Sequence, residues 1–305
     1  MVRLPSFVTT TRRHDGRRLL SYVAGLLMFY APFALFTRLW GWATGTRTAG
    51  SISDLCLRMQ INWLTNPAQW GNLFGEIGLR TVGFFVILGL ALLMGPLFCG
   101  WICAAGALPE YLSRLVPDRF KMDVLDKVNV TAIRYGFLAG YVITPFLAGG
   151  IGCAFCNYKT FELMVLGVTG SFTALSSTYI LVTLLWLVAF GLFMKGGRGW
   201  CNFACPVGAL QSLVHSIGAR FGFTWKLKYF PGNCKSCHRC VAACPMRAIS
   251  PVPDRGGVRI NRHQCILCKD CIEVCRHDAL AYGRGPAIEP AVLDRPALEP
   301  AAADA

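Results

Sequence analysis

Charge is scarce in this chain. Of its 305 residues only 15% are charged and 54% are hydrophobic, whereas an ordinary soluble domain is about 25% charged. The shortfall excludes a conventional water-facing surface over much of the length and implies lipid contact. Acidic residues are scarcer still: 16 Asp and Glu stand against 30 Lys and Arg, a net charge of +14. No helix-turn-helix, RNA-recognition or basic-aromatic groove pattern accompanies that excess, so nucleic acid is not an expected partner. The basic residues read instead as loop charges that orient membrane segments.

Apolar runs predict four transmembrane helices: Leu19–Trp40, Thr81–Phe98, Arg134–Gly152 and Ser176–Met194. Each approaches the ~20 residues that cross a bilayer. Their cores hold no Asp, Glu, Lys or His. That lack disfavours transport and removes the usual axial ligands of a b-type haem. Residues 1–18 read as a basic cytoplasmic N-terminus. The pair Arg12–Arg13 does not read as a twin-arginine signal, because Arg17 and Arg18 stand where such a signal turns apolar. Ile52–Trp63 reads as amphipathic and surface-lying. Phe161–Thr173 reads as re-entrant or interfacial and is not counted as a span. Arg114, Arg119, Lys121, Lys127 and Arg134 separate spans two and three, whereas Lys159 alone separates spans three and four. This bias places both termini in the cytoplasm.

Cysteine, by contrast, is abundant, at 15 residues. Cys234-x-x-Cys237-x-x-Cys240-x-x-x-Cys244-Pro245 and Cys265-x-x-Cys268-x-x-Cys271-x-x-x-Cys275 carry the spacing of a bacterial two-cluster ferredoxin. Three closely spaced cysteines wrap three corners of a cubane, and the fourth begins a short helix leading to the other cluster. The motifs therefore exchange ligands. Cluster one is expected on Cys234, Cys237, Cys240 and Cys275, and cluster two on Cys265, Cys268, Cys271 and Cys244. Paired zinc sites and disulfides are the weaker readings. Arg276 stands where the pattern has Pro. With Lys269 it is expected to stabilise the reduced cluster.

A second repetition lies upstream. Cys99-Gly-Trp-Ile-Cys103-Ala-Ala-Gly-Ala-Leu108 and Cys201-Asn-Phe-Ala-Cys205-Pro-Val-Gly-Ala-Leu210 are one motif twice, at the ends of spans two and four. The membrane part therefore reads as a duplicated helical hairpin. If helical, each pair shares one face. Two readings stay open for Cys99, Cys103, Cys201 and Cys205. They are ligands of a further cluster or a redox pair beside a quinone, or they are small buried residues that permit close packing. Cys153 and Cys156 fall on the opposite, outer side, within reach of Cys56. They read as a thiol pair, redox-active or structural. His215, His238, His263 and His277 read as solvated rather than ligating.

Together these features resemble the NapH/MauN family of ferredoxin-type membrane proteins. The likeness rests on the four apolar segments, Trp200-Cys201 through Leu210, the Cys99–Cys103 copy and the two ferredoxin motifs. It covers roughly residues 19–282. The first copy departs from the family pattern, with Ala104 where Pro is usual. The Cys153–Cys156 pair is an addition to the NapH-like pattern and tilts the reading toward a MauN-like member.

The expected architecture is a membrane all-α domain of four helices (19–228), then a small α+β ferredoxin domain with two [4Fe–4S] clusters (229–282). A disordered tail (283–305) follows. The resemblance implies a multi-pass protein of a bacterial inner membrane that transfers electrons, a component of an oxidoreductase system more than a stand-alone enzyme. Its electrons would pass between a quinone pool or a cytoplasmic donor and a periplasmic redox system. Methylamine utilisation is favoured, through supply to or maturation of an amine dehydrogenase. A quinol dehydrogenase subunit of periplasmic nitrate reduction is the alternative, and an iron–sulfur redox sensor the reading of another class. Expected partners are lipid, quinone and other redox subunits.

Overall fold

The computed structural model describes residues 10–48, 50–71, 78–125, 128–148, 155–168, 177–252 and 256–285. Most of the expected disordered tail lies outside the described residues.

The expectation of four membrane-spanning helices is overturned. Among the described residues one helix, Val130–Ala148, contains a stretch long and apolar enough to cross a membrane, and only 11% of that stretch is buried. The other apolar runs are interrupted for local reasons. The first breaks around Pro32, which has no N–H to donate and cannot continue a helix. It yields two helices, Arg12–Phe29 and Leu35–Thr44. The first of these begins among arginines, with Thr11 as its N-cap. The second run stops at Met94, before Gly95 and Pro96, leaving 16 helical residues from Leu79. The fourth run is helical from Ser177 to Thr183 and continues as a wider, π-type coil over Leu184–Leu192.

The segment expected to lie on the surface and the described part of the one expected to be re-entrant or interfacial both contribute buried residues. The helix Leu57–Thr65 buries Leu57, Arg58, Gln60, Ile61 and Asn62. The run beginning at Phe161 belongs to the helix Asn157–Val168, where Phe161 and Glu162 are buried. Glu162 accepts the backbone N–H groups of Ala31 (3.0 Å) and Ile52 (2.7 Å), tying three distant segments together.

The two copies of the cysteine motif lead into like elements. A helix Ala104–Ser113 follows Cys103, and a helix Pro206–Gly218 follows Cys205. The latter packs along Leu79–Met94 so closely that a Cβ on Gly218 would strike the Leu92 carbonyl.

The C-terminal ferredoxin domain begins at Lys226, where strand β1 (Lys226–Tyr229) pairs antiparallel with β4 (Leu280–Gly283). Strands β2 (Ile249–Pro251) and β3 (Val258–Ile260) form a second antiparallel ribbon. The domain docks firmly on the helices. Trp225 N–H donates to the Leu93 carbonyl (2.7 Å) and Tyr282 Oη to that of Met94 (2.8 Å). Trp101 Nε1 donates to the Leu267 carbonyl (3.1 Å) and Asn202 Nδ2 to that of Met246 (3.2 Å).

Candidate electron-transfer site

Two cavities in the ferredoxin domain are each lined by four cysteines drawn from both motifs. Cys234, Cys237, Cys240 and Cys275 face one, with Tyr229 and His277 beside them. Cys244, Cys265, Cys268 and Cys271 face the other, walled by Leu227, Met246 and Ile249. The fourth cysteine of each motif thus lines the cavity of the other motif. Burial pushes the Cys240 and Cys265 thiols up to about 12. Left alone they stay protonated; bound iron would deprotonate them outright. Among the described residues no three His, Cys, Asp or Glu side chains converge on a single ion. A cubane makes no such demand, since it spreads its thiolates over separate irons.

The backbone around the two cavities is strained in matching places. Ser236 and His238 flank Cys237 with φ of 54° and 55°, and Leu267 and Lys269 flank Cys268 with φ of 53° and 67°. Arg247 and Asp278, each three residues after a motif's last cysteine, have φ of 52° and 50°. A left-handed residue with a side chain costs roughly 1–2 kcal/mol. Such strain persists where the surroundings enforce it, and it gathers at functional sites. Here it lets the loops curl tightly enough to aim successive cysteines inward.

The four upstream cysteines also come together. Cys99, Cys103 and Cys205 are buried and Cys201 is partly so. The Tyr158 hydroxyl lies 4.0 Å from Sγ of both Cys103 and Cys205, one from each copy. The pairs do not share one face of a continuous α-helix. Cys99 sits in a single π-type turn (Phe98–Ile102), whereas Cys103 and Cys205 are N-caps of the helices that follow. Gly208 N–H donates to Cys205 Sγ (3.4 Å), whereas Gly106 N–H donates to the Cys103 carbonyl (3.1 Å). Burial pushes Cys103 up to about 12, with Cys201 and Cys205 adding to the rise while Arg198 and the Gly106 N–H oppose it.

Comparison with known proteins agrees with this layout. The 4Fe–4S dicluster domain family matches residues 233–280. A family described as a 4Fe–4S binding domain matches twice, over 78–123 and 178–224, once for each hairpin copy. An uncharacterized protein of Methanocaldococcus jannaschii, MJ0750, is 28% identical over 216 residues, 68% of this chain and 80% of that protein. The ferredoxin-type protein NapH of Escherichia coli is 27% identical, over 64% of this chain and 65% of its own length. The methylamine utilization ferredoxin-type protein MauN of Methylobacillus flagellatus is 27% identical, over 66% of each chain. The chain is similar to the NapH/MauN-type ferredoxin-like proteins. No solved structure matches it. It is an iron–sulfur electron-transfer protein with two [4Fe–4S] clusters.

In this NapH/MauN-like chain the second cysteine cavity and two of the upstream thiols share one packed core. Cys99 and Cys201 lie with Cys244, Cys268 and Cys271. A buried ionic network fastens that junction. Arg18 donates to Asp270 (2.6 Å), which His14 Nε2 also contacts (2.9 Å). Arg18, Arg114 and Arg198 converge on Glu110 at 3.0, 3.2 and 2.7 Å. Burial acts to raise the Glu110 carboxyl, yet the three guanidiniums hold it down at about 2. The Tyr22 hydroxyl completes the network, donating to the Gly100 carbonyl.

On the far side of Tyr158 lies a cavity of about 400 Å³. Its lining includes Leu55, Phe98, Cys56, Cys156 and the basic Arg58 and Arg80. Cys156 is buried against Arg58; its expected partner Cys153 lies outside the described residues. Of the four C-terminal histidines, His215 is buried at 3% exposure rather than solvated. Tyr158, Glu110 and Asp270 are not singled out by the sequence, and Arg18 reads there only as a basic N-terminal residue. Only the lone acid Glu110, two residues past the Gly106-Ala-Leu108 stretch, offered a signal, because acids are so sparse here.

Proposed function

We propose that this chain is a membrane-associated electron relay that exchanges electrons with a quinone at the Tyr158 cavity. Cluster one would be held by Cys234, Cys237, Cys240 and Cys275, and cluster two by Cys244, Cys265, Cys268 and Cys271. Bound there, the clusters supply reversible one-electron chemistry. The observation that carries the reading is the shared core of Cys99 and Cys201 with the cysteines of the second cavity. A ferredoxin domain serving only soluble partners has no need of that junction.

Several residues have definite tasks in this reading. Trp101 and Asn202 fix the second cavity against the helices. Tyr158 bridges toward the apolar cavity, whose volume and walls suit a quinone ring. Its hydroxyl and the guanidiniums of Arg58 and Arg80 offer donors to quinone oxygens. Lipid contact is supported by the helix Val130–Ala148, where Phe137, Ile143, Phe146 and Leu147 are exposed. The partner is proposed only as a redox subunit, since equal likeness to NapH and MauN favours neither nitrate nor methylamine metabolism.

The test uses the full chain, purified anaerobically in detergent and reduced with dithionite. Mixing with a short-chain ubiquinone or menaquinone analogue is expected to bleach the reduced-cluster EPR signal rapidly. Tyr158→Phe should slow that step about tenfold, as loss of one positioned donor does, at unchanged iron content. Clusters that stay reduced in the presence of both quinones would remove the quinone from the scheme.

A further inference from the structure

A groove of about 890 Å³ lies between the β2–β3 ribbon and the start of the helix Val130–Ala148. Its charged lining is Arg247, Arg259 and Arg262, and among the described residues no carboxylate lines it. Asp123 answers Arg247 at 3.3 Å and is itself shared with Lys195 (2.8 Å). Arg259 is exposed and Arg262 half-buried, and among the described residues neither meets a carboxylate within ion-pair distance. Two cations held over one groove suit an anion, and guanidiniums grip phosphate through paired N–H donors.

The position of the groove selects the source of the phosphate. Asn129 Oδ1 accepts the Ala132 N–H (3.1 Å) and so caps the helix, while Thr131 Oγ1 accepts from Asn261 Nδ2 (3.0 Å), next to Arg262. That helix carries the one described stretch long and apolar enough to cross a membrane. The segment leading into it exposes Phe120, Met122 and Val128. The groove therefore lies where apolar surface gives way to charge, which is the level of lipid headgroups. We infer that it binds the phosphate headgroup of an anionic phospholipid, held by Arg259 and Arg262. The inference rests on the membrane association proposed above and not on the quinone. The site also has a redox consequence. Ala248 and Ile249 line both this groove and the second cysteine cavity, and Ala248 N–H donates to Cys244 Sγ (3.3 Å). Gln264, on the groove wall, directly precedes Cys265. The negative charge of a bound phosphate, one layer of residues away, disfavours an added electron on cluster two.

The test uses the full chain, purified anaerobically with its clusters and stripped of lipid in a neutral detergent. Native mass spectrometry counts bound lipid after addition of phosphatidylglycerol, or of phosphatidylcholine with the same acyl chains. Phosphatidylglycerol is expected to bind more tightly. Arg259→Gln with Arg262→Gln should weaken it about thirtyfold, the effect of two cations lost from a phosphate site. Arg259→Gln alone, at an exposed position that leaves folding intact, should weaken it by a smaller factor. Arg12→Gln with Arg13→Gln removes the same charge from exposed positions outside the groove and should leave binding unchanged. Equal binding of the two lipids, or equal loss from the two double variants, overturns the site. Inorganic pyrophosphate binding as tightly as the lipid overturns the lipid and assigns a soluble phosphate instead. A chain that stays monodisperse without detergent or lipid overturns the membrane association itself. In vesicles, phosphatidylglycerol should lower the potential of one of the two clusters relative to phosphatidylcholine. Two unmoved potentials would overturn the link to cluster two.

Discussion

Arg18, on the first helix, donates a 2.6 Å hydrogen bond to Asp270, which stands between Cys268 and Cys271 of the second ferredoxin cavity. The contact is wholly buried and joins residues 252 positions apart. It makes the N-terminal helix a part of the cluster-binding core rather than a separate anchor. Removing one member of such a network leaves an uncompensated charge, which costs far more than the pair contributes.

Glu110→Gln is therefore expected to destabilise the protein by about 3–5 kcal/mol. Three guanidiniums lose their shared carboxylate while staying buried. Chemical denaturation of the iron-loaded chain in detergent measures it. A change under about 1 kcal/mol, the size of an exposed pair, would show that the network is solvated.

Acid sensitivity should come in two windows. Burial drives His215 down to about 4, although the Ala91 carbonyl opposes the shift. Its folded value lies below the unfolded one, so the unfolded chain takes up the proton first. Stability is then full above the ordinary histidine range near 6.5 and is lost as pH falls toward 4. Glu110, held at about 2, adds a second loss below the ordinary carboxylate value of 4.5. His215→Gln should flatten the profile between pH 6.5 and 4 alone, as read by thermal unfolding. An unchanged slope would place that histidine in water.

Gly100→Ala should loosen the ferredoxin domain. A Cβ there would collide with the Ile266 carbonyl, beside the Cys268 backbone. The expected result is a broadened or lost second-cluster EPR signal with the first cluster preserved. Gly89→Ala is the control, because nothing lies within 4 Å of its added Cβ. Equal effects from both would remove the close approach as the cause.

Ligand exchange between motifs gives a crossed pattern. Cys275→Ser should abolish the cluster of the first motif, and Cys244→Ser that of the second, since each lines the other motif's cavity. EPR of the reduced variants distinguishes the two. Loss of each cysteine's own-motif cluster would reverse the assignment.

The ferredoxin cysteines were legible because their chemistry is local. Ligands two residues apart must bend the chain around a metal group whatever surrounds it. The apolar segments were legible only in part. Hydropathy registers that Leu19–Trp40 is greasy; it does not register that Pro32 divides it or that Arg18 turns inward to meet Asp270. The same blindness hid Ile61 and Asn62, whose helix reads as amphipathic and lies in the core.

By itself the sequence determined the two-cluster ferredoxin motifs, the duplicated cysteine motif and the family resemblance, since all three rest on the spacing of residues close along the chain. Only the tertiary structure decided that one described helix has the length to cross a membrane, that Cys103 and Cys205 of the two copies meet at Tyr158, and that Glu110 gathers three guanidiniums. These depend on where helices stop and on which distant charges share a buried volume. Short-range periodicity carries no record of either.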